Sequence, residues 1–275
     1  MAIETAELGS AILAKEERLL ALLHGYGSLA VAYSGGVDST YLADVAHQAL
    51  AEGATLILAD SPSLPRAEFD EAVALAQARG WNLTVIETAE FEREDYLKND
   101  GTRCYVCRSE LFTKMQAYAQ TNRIRVMAYG AIMDDLLDPT RLGTKAAAEH
   151  QVVAPLQAAE LAKSEIRALS RQRGLPTWEK ASFACLASRF PVGTRVTREE
   201  VMQVERAEDV LRNMGFRQYR ARHHGDLCRV ELDPAEIERL LDPALRAMLD
   251  RELKALGYRH VALDLAGYRG AGGEA

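Results

Sequence analysis

The sequence has 275 residues, 48% of them hydrophobic, and its 33 basic and 40 acidic side chains give a formal net charge of −7. A chain of this length can bury one large core or two modest ones. The acidic balance argues against a protein whose whole surface grips nucleic acid. No stretch approaches the roughly eighteen apolar residues of a membrane span, and the N-terminus lacks a basic region followed by an apolar core. We therefore expect a cytoplasmic protein without membrane contact.

In chain order, helical and strand patterns alternate over the first two thirds of the sequence. Helical spacing predicts an amphipathic helix over residues 8–25. Apolar runs then predict strands, separated by helices, at 29–33, 54–59, 82–87, 125–129 and 152–155. Short links between strands and helices favour right-handed crossovers. We therefore predict an α/β fold built on a parallel five-stranded sheet with helices on both faces.

The last third of the chain shows a different pattern. It predicts one helix, two strands around the turn Gly225-Asp226, two further helices and a last strand, with the first helix at 199–214 and the strands at 218–223, 227–232 and 260–263. This is the pattern of a smaller α+β domain. We divide the chain into domains 1–176 and 177–275, with 176–193 as a linker that carries active-site residues. The second domain is expected to bind substrate and to form a homo-oligomer, and residues 267–275 are expected to be disordered.

Residues 29–42, LAVAYSGGVDSTYL, read as an apolar strand, a glycine turn and the start of a helix. Gly35 and Gly36 let the backbone turn tightly, so that consecutive N–H groups can point at one anion. The first helical turn adds its partial positive charge. N-capping side chains are offered by Asp38, Ser39 and Thr40, and hydroxyl donors by Ser34, Ser39 and Thr40. The pattern indicates a phosphate site, the alternative being a structural turn that happens to contain two glycines.

No Gly-Lys-Ser/Thr follows this turn, which distinguishes it from a Walker loop. SGGVDS instead resembles the pyrophosphate-binding loop of the PP-loop ATP pyrophosphatases, enzymes with a HUP-like sheet that adenylate a substrate and release pyrophosphate. The resemblance implies that ATP and Mg²⁺ bind here and that Asp38 is catalytic. The nucleotide-binding residues that it implies are Ser34, Gly35, Gly36, Asp38, Ser39, Asp60 and Lys163.

Two carboxylates, Asp134 and Asp135, follow the strand predicted at 125–129. At the carboxyl end of a parallel strand they could provide the hard oxygen ligands that an ATP-bound magnesium ion needs. The alternative is that they cap a solvated loop. Lys163 lies in LAKSEIRALSRQRGLP, a stretch similar to one beside the ATP site of several PP-loop enzymes. A solvated helix surface explains a lysine there almost as well.

Three cysteines stand in polar surroundings. Cys104 and Cys107 form a CxxC at the head of a helix that runs to about residue 120, and Cys185 lies in ASFACLASRFPVGTRVT. Arg189 and Arg195 make this last segment electropositive, which favours thiolate. The CxxC pair alone is compatible with core thiols, a redox disulfide or part of a metal site. A metal or cluster site needs a third thiolate, which Cys185 can provide.

Two arginines, Arg220 and Arg222, lie two positions apart and hence on one face of a predicted strand. Paired guanidinium groups are well suited to hold a phosphate or carboxylate. The alternative is an exposed strand face. Cys228 lies in the next predicted strand, where an alternating apolar pattern indicates a buried and inert thiol.

The motif KxSxxCLxSRxPxGxxxT, together with GLPTW before it and HHGDLCRVEL after it, resembles the LarE group of ATP-dependent sulfur transferases in nickel-pincer nucleotide cofactor synthesis. The resemblance runs from the SGGVDS loop to about residue 232. It implies a small nucleotide substrate, a pyridinium mononucleotide whose two carboxylates become thiocarboxylates. The substrate-binding residues that it implies are Arg189, Arg220 and Arg222, and Cys185 would be catalytic.

The source of sulfur has competing explanations. In one version of the family's chemistry a lone cysteine at position 185 attacks the adenylate and gives up its sulfur, which leaves dehydroalanine. Three thiolates, however, can hold a [4Fe-4S] cluster with one iron open to hydrosulfide, so we favour a cluster bound by Cys104, Cys107 and Cys185. Zinc is the competing occupant. The alternative function classes are a cluster-containing tRNA thiolase, which normally has a basic RNA-binding surface, and a non-catalytic nucleotide-binding module.

Overall fold

The computed structural model describes residues 9–137, 142–181 and 184–268. In chain order the helices are α1 Ser10–Tyr26, α2 Val37–Leu50, α3 Arg66–Ala78, α4 Glu94–Leu97, α5 Arg103–Thr121, α6 Leu142–Glu149, α7 Pro155–Ala158, α8 Lys163–Gln172, α9 Arg198–Asn213 and α10 Pro243–Ala255. The strands are β1 Leu29–Tyr33, β2 Ala54–Asp60, β3 Asn82–Glu87, β4 Val126–Tyr129, β5 Tyr219–His224, β6 Leu227–Leu232 and β7 His260–Leu263. Short 3-10 turns occur at Ala51–Gly53, Glu90–Glu92, Met133–Leu137, Pro176–Glu179, Leu186–Arg189 and Pro234–Leu241.

The described residues divide into two compact units. The first unit holds the residues up to Ser61, Arg66–Glu90 and Cys104–Ala181. The second holds Pro62–Pro65, Phe91–Arg103 and the described residues from 184 onward. The second unit thus includes two short segments from the first half of the chain, for which the sequence pattern carries no signal. The domain boundary at residues 176 and 177 stays a prediction.

The first unit is an α/β fold around a parallel sheet. Its strand order is β3-β2-β1-β4, and all three pairings are parallel. The central strand β1 is apolar on both faces and almost wholly buried, as expected for a strand covered by helices on either side. Helix α5 contributes the buried side chains of Phe112 and Met115 to the core against β1, β2 and β4. The predicted fold class and the first four predicted strands are confirmed.

The predicted fifth strand at 152–155 is wrong, because the described sheet of the first unit has four strands. Val153 forms only an isolated parallel bridge with Ala128. On one side of this bridge Gln151 has a positive φ of 55°. On the other side Pro155, which has no N–H to donate, begins α7. A run of apolar residues this short cannot be extended into a strand between these two breaks.

The second unit contains a separate three-stranded sheet in the order β5-β6-β7. β5 and β6 are antiparallel and β6 and β7 are parallel. Alternate residues of the sheet face a core formed with α9 and α10, which includes Ala221, Cys228, Val230 and Leu232. Helix α9 begins with a capping box, in which Thr197 Oγ1 accepts the N–H of Glu200 at 3.2 Å. The three strands predicted for this part of the chain are found in a separate small sheet, while its assignment as a C-terminal domain stays a prediction.

Among the residues that the structure describes, no helix combines the length and the apolar character needed to cross a membrane.

Candidate functional site

The glycine turn between β1 and α2 is held in close contact with two neighbouring segments. Gly35 has a φ of +70°, and a Cβ there would lie 2.8 Å from the Cβ of Ala72 on α3. Gly130, which follows β4, is packed just as closely, because a Cβ there would lie 3.0 Å from the backbone nitrogen of Ser39. Both positions therefore need glycine, one for its backbone conformation and one for the approach of β4 to the start of α2.

Helix α2 begins without a side-chain cap. Its N-cap residue is Gly36, and no side chain accepts a hydrogen bond from its first turn. The predicted N-capping by Asp38, Ser39 and Thr40 is therefore wrong. Ser39 instead closes the turn behind it: its Oγ accepts the N–H of Ser34 at 3.2 Å and donates to the carbonyl oxygen of Gly36 at 3.2 Å. An uncapped helix start with its partial positive charge suits an anion such as phosphate.

The structure brings Asp38 and Lys163 together beside this turn. Lys163 Nζ, on the first residue of α8, lies 2.8 Å and 2.7 Å from the two carboxylate oxygens of Asp38. Burial raises the pKa of Asp38, and the hydrogen bond and charge of Lys163 act in the opposite direction. The two residues form a half-buried ion pair at the start of two helices, in the same unit as the glycine turn.

The acidic pair after β4 caps backbone groups. Asp135 Oδ2 accepts the N–H of Ile132 at 3.0 Å, and Asp134 Oδ2 accepts the N–H of Lys163 at 2.9 Å. The simpler of the two alternatives, a loop cap, thus describes both contacts. Asp134 also satisfies the N–H at the start of α8, and so helps to hold Lys163 where it meets Asp38.

Asp60 ends β2, at the carboxyl edge of the sheet where the glycine turn also leaves β1. Its Oδ1 accepts a hydrogen bond from Arg66 Nη1 at 2.6 Å. Arg66 also donates to the carbonyl oxygen of Ser61 at 2.8 Å. Asp60 therefore lies at the carboxyl edge of the sheet, as predicted, while a contact with ATP stays a prediction.

Two of the cysteines lie in the first two turns of α5. Cys104 is exposed and Cys107 is half-buried, and their spacing of three residues places them on one face of the helix. They belong to the first unit, whereas Cys185 belongs to the second. Within neither unit do the described residues form a group of three or more His, Cys, Asp or Glu side chains able to hold a metal ion. The three-thiol site stays a prediction.

Cys228 is fully buried in β6, and burial raises the pKa of its thiol to about 12. This confirms the predicted burial of the thiol, while its inertness stays a prediction.

Cys185 immediately precedes the 3-10 turn Leu186–Arg189, and its side chain is half-buried. The backbone on both sides of it is hydrogen-bonded. The N–H of Leu186 donates to the carbonyl oxygen of Ser63 at 2.8 Å, and the Cys185 carbonyl accepts the N–H of Ser188 at 2.9 Å. The segment that carries the predicted catalytic thiol therefore has a defined backbone path.

Arg189 is a buried, ion-paired side chain with a relative exposure of 1%. Its Nε and Nη2 donate to the two carboxylate oxygens of Glu208 at 2.8 Å and 2.9 Å. Its Nη1 donates to the carbonyl oxygens of Ala184 at 2.7 Å and Cys185 at 3.1 Å. All of these hydrogen bonds are to other groups of the protein. Contact of Arg189 with the substrate therefore stays a prediction.

Arg220 and Arg222 lie on one face of β5, as predicted, but that face is covered. Arg220 has a relative exposure of 6%, so the alternative of an exposed strand face is wrong. Arg222 forms a two-pronged ion pair with Glu231 at 3.0 Å and 3.1 Å. Arg220 donates to the hydroxyl of Tyr268 at 3.1 Å and lies 4.7 Å from the centre of its ring. Burial lowers the pKa of Arg220, and the nearby Arg189 lowers it further.

Sequence reasoning missed the partners of these arginines. Glu208 follows the buried residues Val201 and Val204 at helical spacing, so that a carboxylate stands where the periodicity predicts an apolar side chain. That mismatch was a usable signal. Tyr268 lay in the segment expected to be disordered; its N–H instead donates to the carbonyl oxygen of Leu232 at 2.6 Å, and residues 269–275 lie outside the described residues.

No protein-family model matches the chain. The chain is 34% identical over 257 residues to the pyridinium-3,5-bisthiocarboxylic acid mononucleotide synthase of Lactiplantibacillus plantarum. The aligned region covers 93% of this chain and 92% of that protein. The chain is also 38% identical over 257 residues to an uncharacterized protein of Synechocystis, which covers 92% and 96% of the two chains. An uncharacterized protein of Methanocaldococcus jannaschii is 23% identical over 239 residues, or 87% and 90% of the two chains. The similarity to the first two thus extends over both units.

Proposed function

This chain belongs to the LarE family, and from that membership we propose that it is an ATP-dependent sulfur transferase of nickel-pincer nucleotide cofactor synthesis. It would adenylate a carboxylate of a pyridinium dicarboxylate mononucleotide, release pyrophosphate and replace the activated oxygen with sulfur. The observation that carries the proposal is the 34% identity, over both units, to a relative named as the synthase of the bisthiocarboxylic acid mononucleotide. The ATP dependence rests on the glycine turn and on the resemblance of SGGVDS to the PP-loop.

The first unit would bind and cleave ATP. The uncapped start of α2 and the bent turn at Gly35 present backbone N–H groups to the phosphates. Lys163, held by Asp38, adds a positive charge beside the turn. The carboxylate of Asp38 is a hard oxygen donor of the kind that magnesium prefers, and magnesium bound with ATP would neutralise charge on the leaving pyrophosphate.

The second unit would hold the phosphate of the mononucleotide. Arg220 and Arg222 lie on one face of β5, where Arg222 is ion-paired with Glu231 and Arg220 contacts Tyr268. Two forked guanidinium donors side by side are well suited to hold a phosphate. Because Arg220 is shielded by Tyr268, a phosphate would reach its guanidinium by displacing or sharing the hydroxyl contact of that tyrosine.

The sulfur source is proposed from the chemistry of the thiols. Cys104, Cys107 and Cys185 would bind a [4Fe-4S] cluster, since an exposed pair on one helix face and a half-buried thiol on a fixed segment are accessible donors. Such a cluster, when bound, would hold hydrosulfide taken up from solution at its open iron. Zinc is the competing metal for three thiolates. In the sacrificial alternative the Cys185 thiolate displaces AMP from the adenylate, and elimination then leaves dehydroalanine.

A substrate-dependent pyrophosphate release assay tests the proposal. With Mg-ATP and pyridinium-3,5-biscarboxylic acid mononucleotide, we expect AMP and pyrophosphate in equal amounts and a thiocarboxylate product by mass spectrometry. Asp38→Ala should abolish pyrophosphate release, whereas Asp70→Ala, which changes an exposed carboxylate on α3, should not. Release of ADP and phosphate, or no dependence on the mononucleotide, would contradict the proposal.

The cluster and sacrificial routes differ in what remains of the protein after turnover. After anaerobic purification the cluster route gives a brown protein whose absorption disappears when any of the three cysteines is replaced by Ser. The sacrificial route gives a colourless protein in which Cys185 has lost the mass of hydrogen sulfide after one turnover.

A further inference from the structure

Arg189 connects the segment of Cys185 to the body of the second unit. Its Nη1 contacts the carbonyl oxygens of Ala184 and Cys185, and also lies 3.0 Å from Ser188 Oγ. The other edge of the same guanidinium is bound by both oxygens of Glu208. One buried, planar group thus joins the peptide groups before and after the Cys185 Cα to helix α9.

Glu208 in turn links α9 to the sheet. Its Oε1 accepts the N–H of Ala221 in the edge strand β5 at 3.1 Å, in addition to the hydrogen bond from Arg189. The carboxylate is 5% exposed and stands on the apolar side of α9. An apolar residue would pack there without the cost of removing a charge from water, so packing alone does not account for Glu208.

The fixed backbone leaves the thiol as the adjustable part of the segment. The carbonyl on either side of the Cys185 Cα and the N–H of Leu186 are all hydrogen-bonded within the second unit. A thiol on such a backbone has only the rotation about its own side-chain bond. This is the preorganisation that a reacting or ligating sulfur needs, because a displacement of about 1 Å can reduce a rate about 100-fold.

We propose that Arg189 and Glu208 are positioning residues that hold Cys185 for the sulfur-transfer step, an inference that rests on the proposed function. Arg189 then acts on the peptide groups around Cys185, and Glu208 acts by holding Arg189. Both the cluster route and the sacrificial route need this thiol in a defined place.

The test separates positioning from mere stability. Arg189→Lys keeps the positive charge but removes the guanidinium group, which contacts Glu208 on one edge and the backbone carbonyls around Cys185 on the other. Glu208→Gln keeps the shape of the side chain but removes the negative charge that pairs with Arg189. The double variant Arg189→Met with Glu208→Met removes the buried charge pair altogether, which is often neutral for stability or stabilising. The matched control is Arg212→Met with Asp209→Met, which removes an exposed ion pair from the same helix.

We expect the double variant to stay folded, and the amount of thiocarboxylate formed per pyrophosphate released to fall about 100-fold relative to wild type. Arg189→Lys should show the same fall, and the control should show none. Sulfur transfer within threefold of wild type in the folded double variant would overturn the inference. So would a parallel loss of pyrophosphate release and sulfur transfer, since that indicates a structural role only.

A second measurement does not depend on turnover. The rate at which iodoacetamide alkylates Cys185 in the full-length chain, measured by peptide mass spectrometry at fixed pH, should rise at least fivefold in the double variant and stay unchanged in the control. Equal rates in wild type and double variant would overturn the inference. Should the wild type release no pyrophosphate, the proposed function fails, and the alkylation rates still decide whether Arg189 and Glu208 position Cys185.

Discussion

Asp38 and Lys163 are separated by 125 positions in the sequence, yet their side chains form a two-pronged contact beside the glycine turn. Neither side chain is fully buried, so water screens the ion pair and its contribution to the free energy of unfolding is small. Its main effect is to fix the positions of the two side chains. The contact holds the lysine beside the start of α2, where Asp38 lies. Sequence reasoning placed both residues near the nucleotide because of the family resemblance; their contact with each other could not be read from spacing.

The raised pKa of Asp38 predicts a particular pH dependence of stability. The carboxyl binds a proton more readily in the folded protein than in the unfolded chain, whose value is about 3.8. Its contribution to the free energy of unfolding therefore falls as the pH rises from 3.8 through the higher folded pKa, and is constant above it. Asp38→Asn should remove this decline. Urea titrations of both proteins at closely spaced acidic pH values measure it, and a difference between them that does not change over that range would contradict it.

The arginine pair of β5 should distinguish the two small-molecule ligands. Replacing Arg220 and Arg222 together by Lys keeps two positive charges but removes the forked guanidinium donors. We expect the KM of the mononucleotide to rise at least tenfold and the KM of ATP to stay within twofold. Arg217→Lys, at an exposed position next to the strand, serves as the control. Equal increases for both ligands would remove the proposed phosphate-binding role.

The helices and strands of this protein show which sequence patterns predict the structure correctly and which do not. Apolar or alternating patterns predicted β1, β3 and β6 to the residue, although only β1 is almost wholly buried and β3 has no buried residue. The fifth strand failed because backbone breaks at Gln151 and Pro155 outweigh an apolar run. Capping of α2 failed for another reason: Ser39 can satisfy either its own helix or the turn behind it, and only the three-dimensional path shows which.

Side-chain partners were the least predictable part of the candidate site. Arg189, Arg220 and Arg222 were all expected to meet the substrate, and the structure shows two of them held by Glu208 and Glu231. These glutamates lie 19 and 9 positions away, on other elements. The local sequence pattern predicts on which face of a strand or helix a side chain lies. The partner of a charged side chain depends on how the helices and strands pack together.

A matched pair of glycines can test the close packing of the turn between β1 and α2, because Gly35 lies in this turn whereas Gly80 follows α3. Gly35 and Gly80 have similar positive φ values, +70° and +65°, but only at Gly35 would a Cβ meet another atom within 4 Å. Substituting either by Ala should cost about 1–3 kcal/mol for the backbone conformation. Gly35→Ala should cost more, because Ala72 must move as well, and should also weaken ATP binding. Equal unfolding free energies and equal ATP affinities for the two variants would show that the contact with α3 is unimportant.

At the scale of the whole molecule, the two units are interlaced along the chain. The second unit depends on residues that precede it by about a third of the sequence, and Asn99 shows how. Its Nδ2 donates to the carbonyl oxygens of Pro191 at 2.8 Å and Thr194 at 3.1 Å. Its own carbonyl oxygen accepts the N–H of Gly193 at 2.7 Å. One early residue therefore satisfies three backbone groups of the segment that follows Cys185.

Asn99→Ala should destabilise the second unit selectively. The substitution leaves two backbone carbonyls without their donor and places an alanine at a φ of 52°, which together should cost about 2–4 kcal/mol. Hydrogen exchange should show lost protection in β5 and β6 and unchanged protection in β1 and β2. Asn213→Ala, at an exposed position of the same unit, is the control. Equal loss of protection in both sheets would mean that the units unfold as one.

This interlacing has a consequence for the order in which a ribosome can complete the protein. Asn99 and Pro191 are 92 positions apart, so at roughly 5–20 residues per second about 5–18 seconds pass between the appearance of one partner and the other. The first unit, whose residues end at Ala181, can collapse during that interval. The segment 91–103 must meanwhile wait in contact with water or with chaperones. The second unit therefore forms after the first, and the thiol of Cys185 acquires its fixed surroundings only after Glu208 and Ala221 have been synthesised.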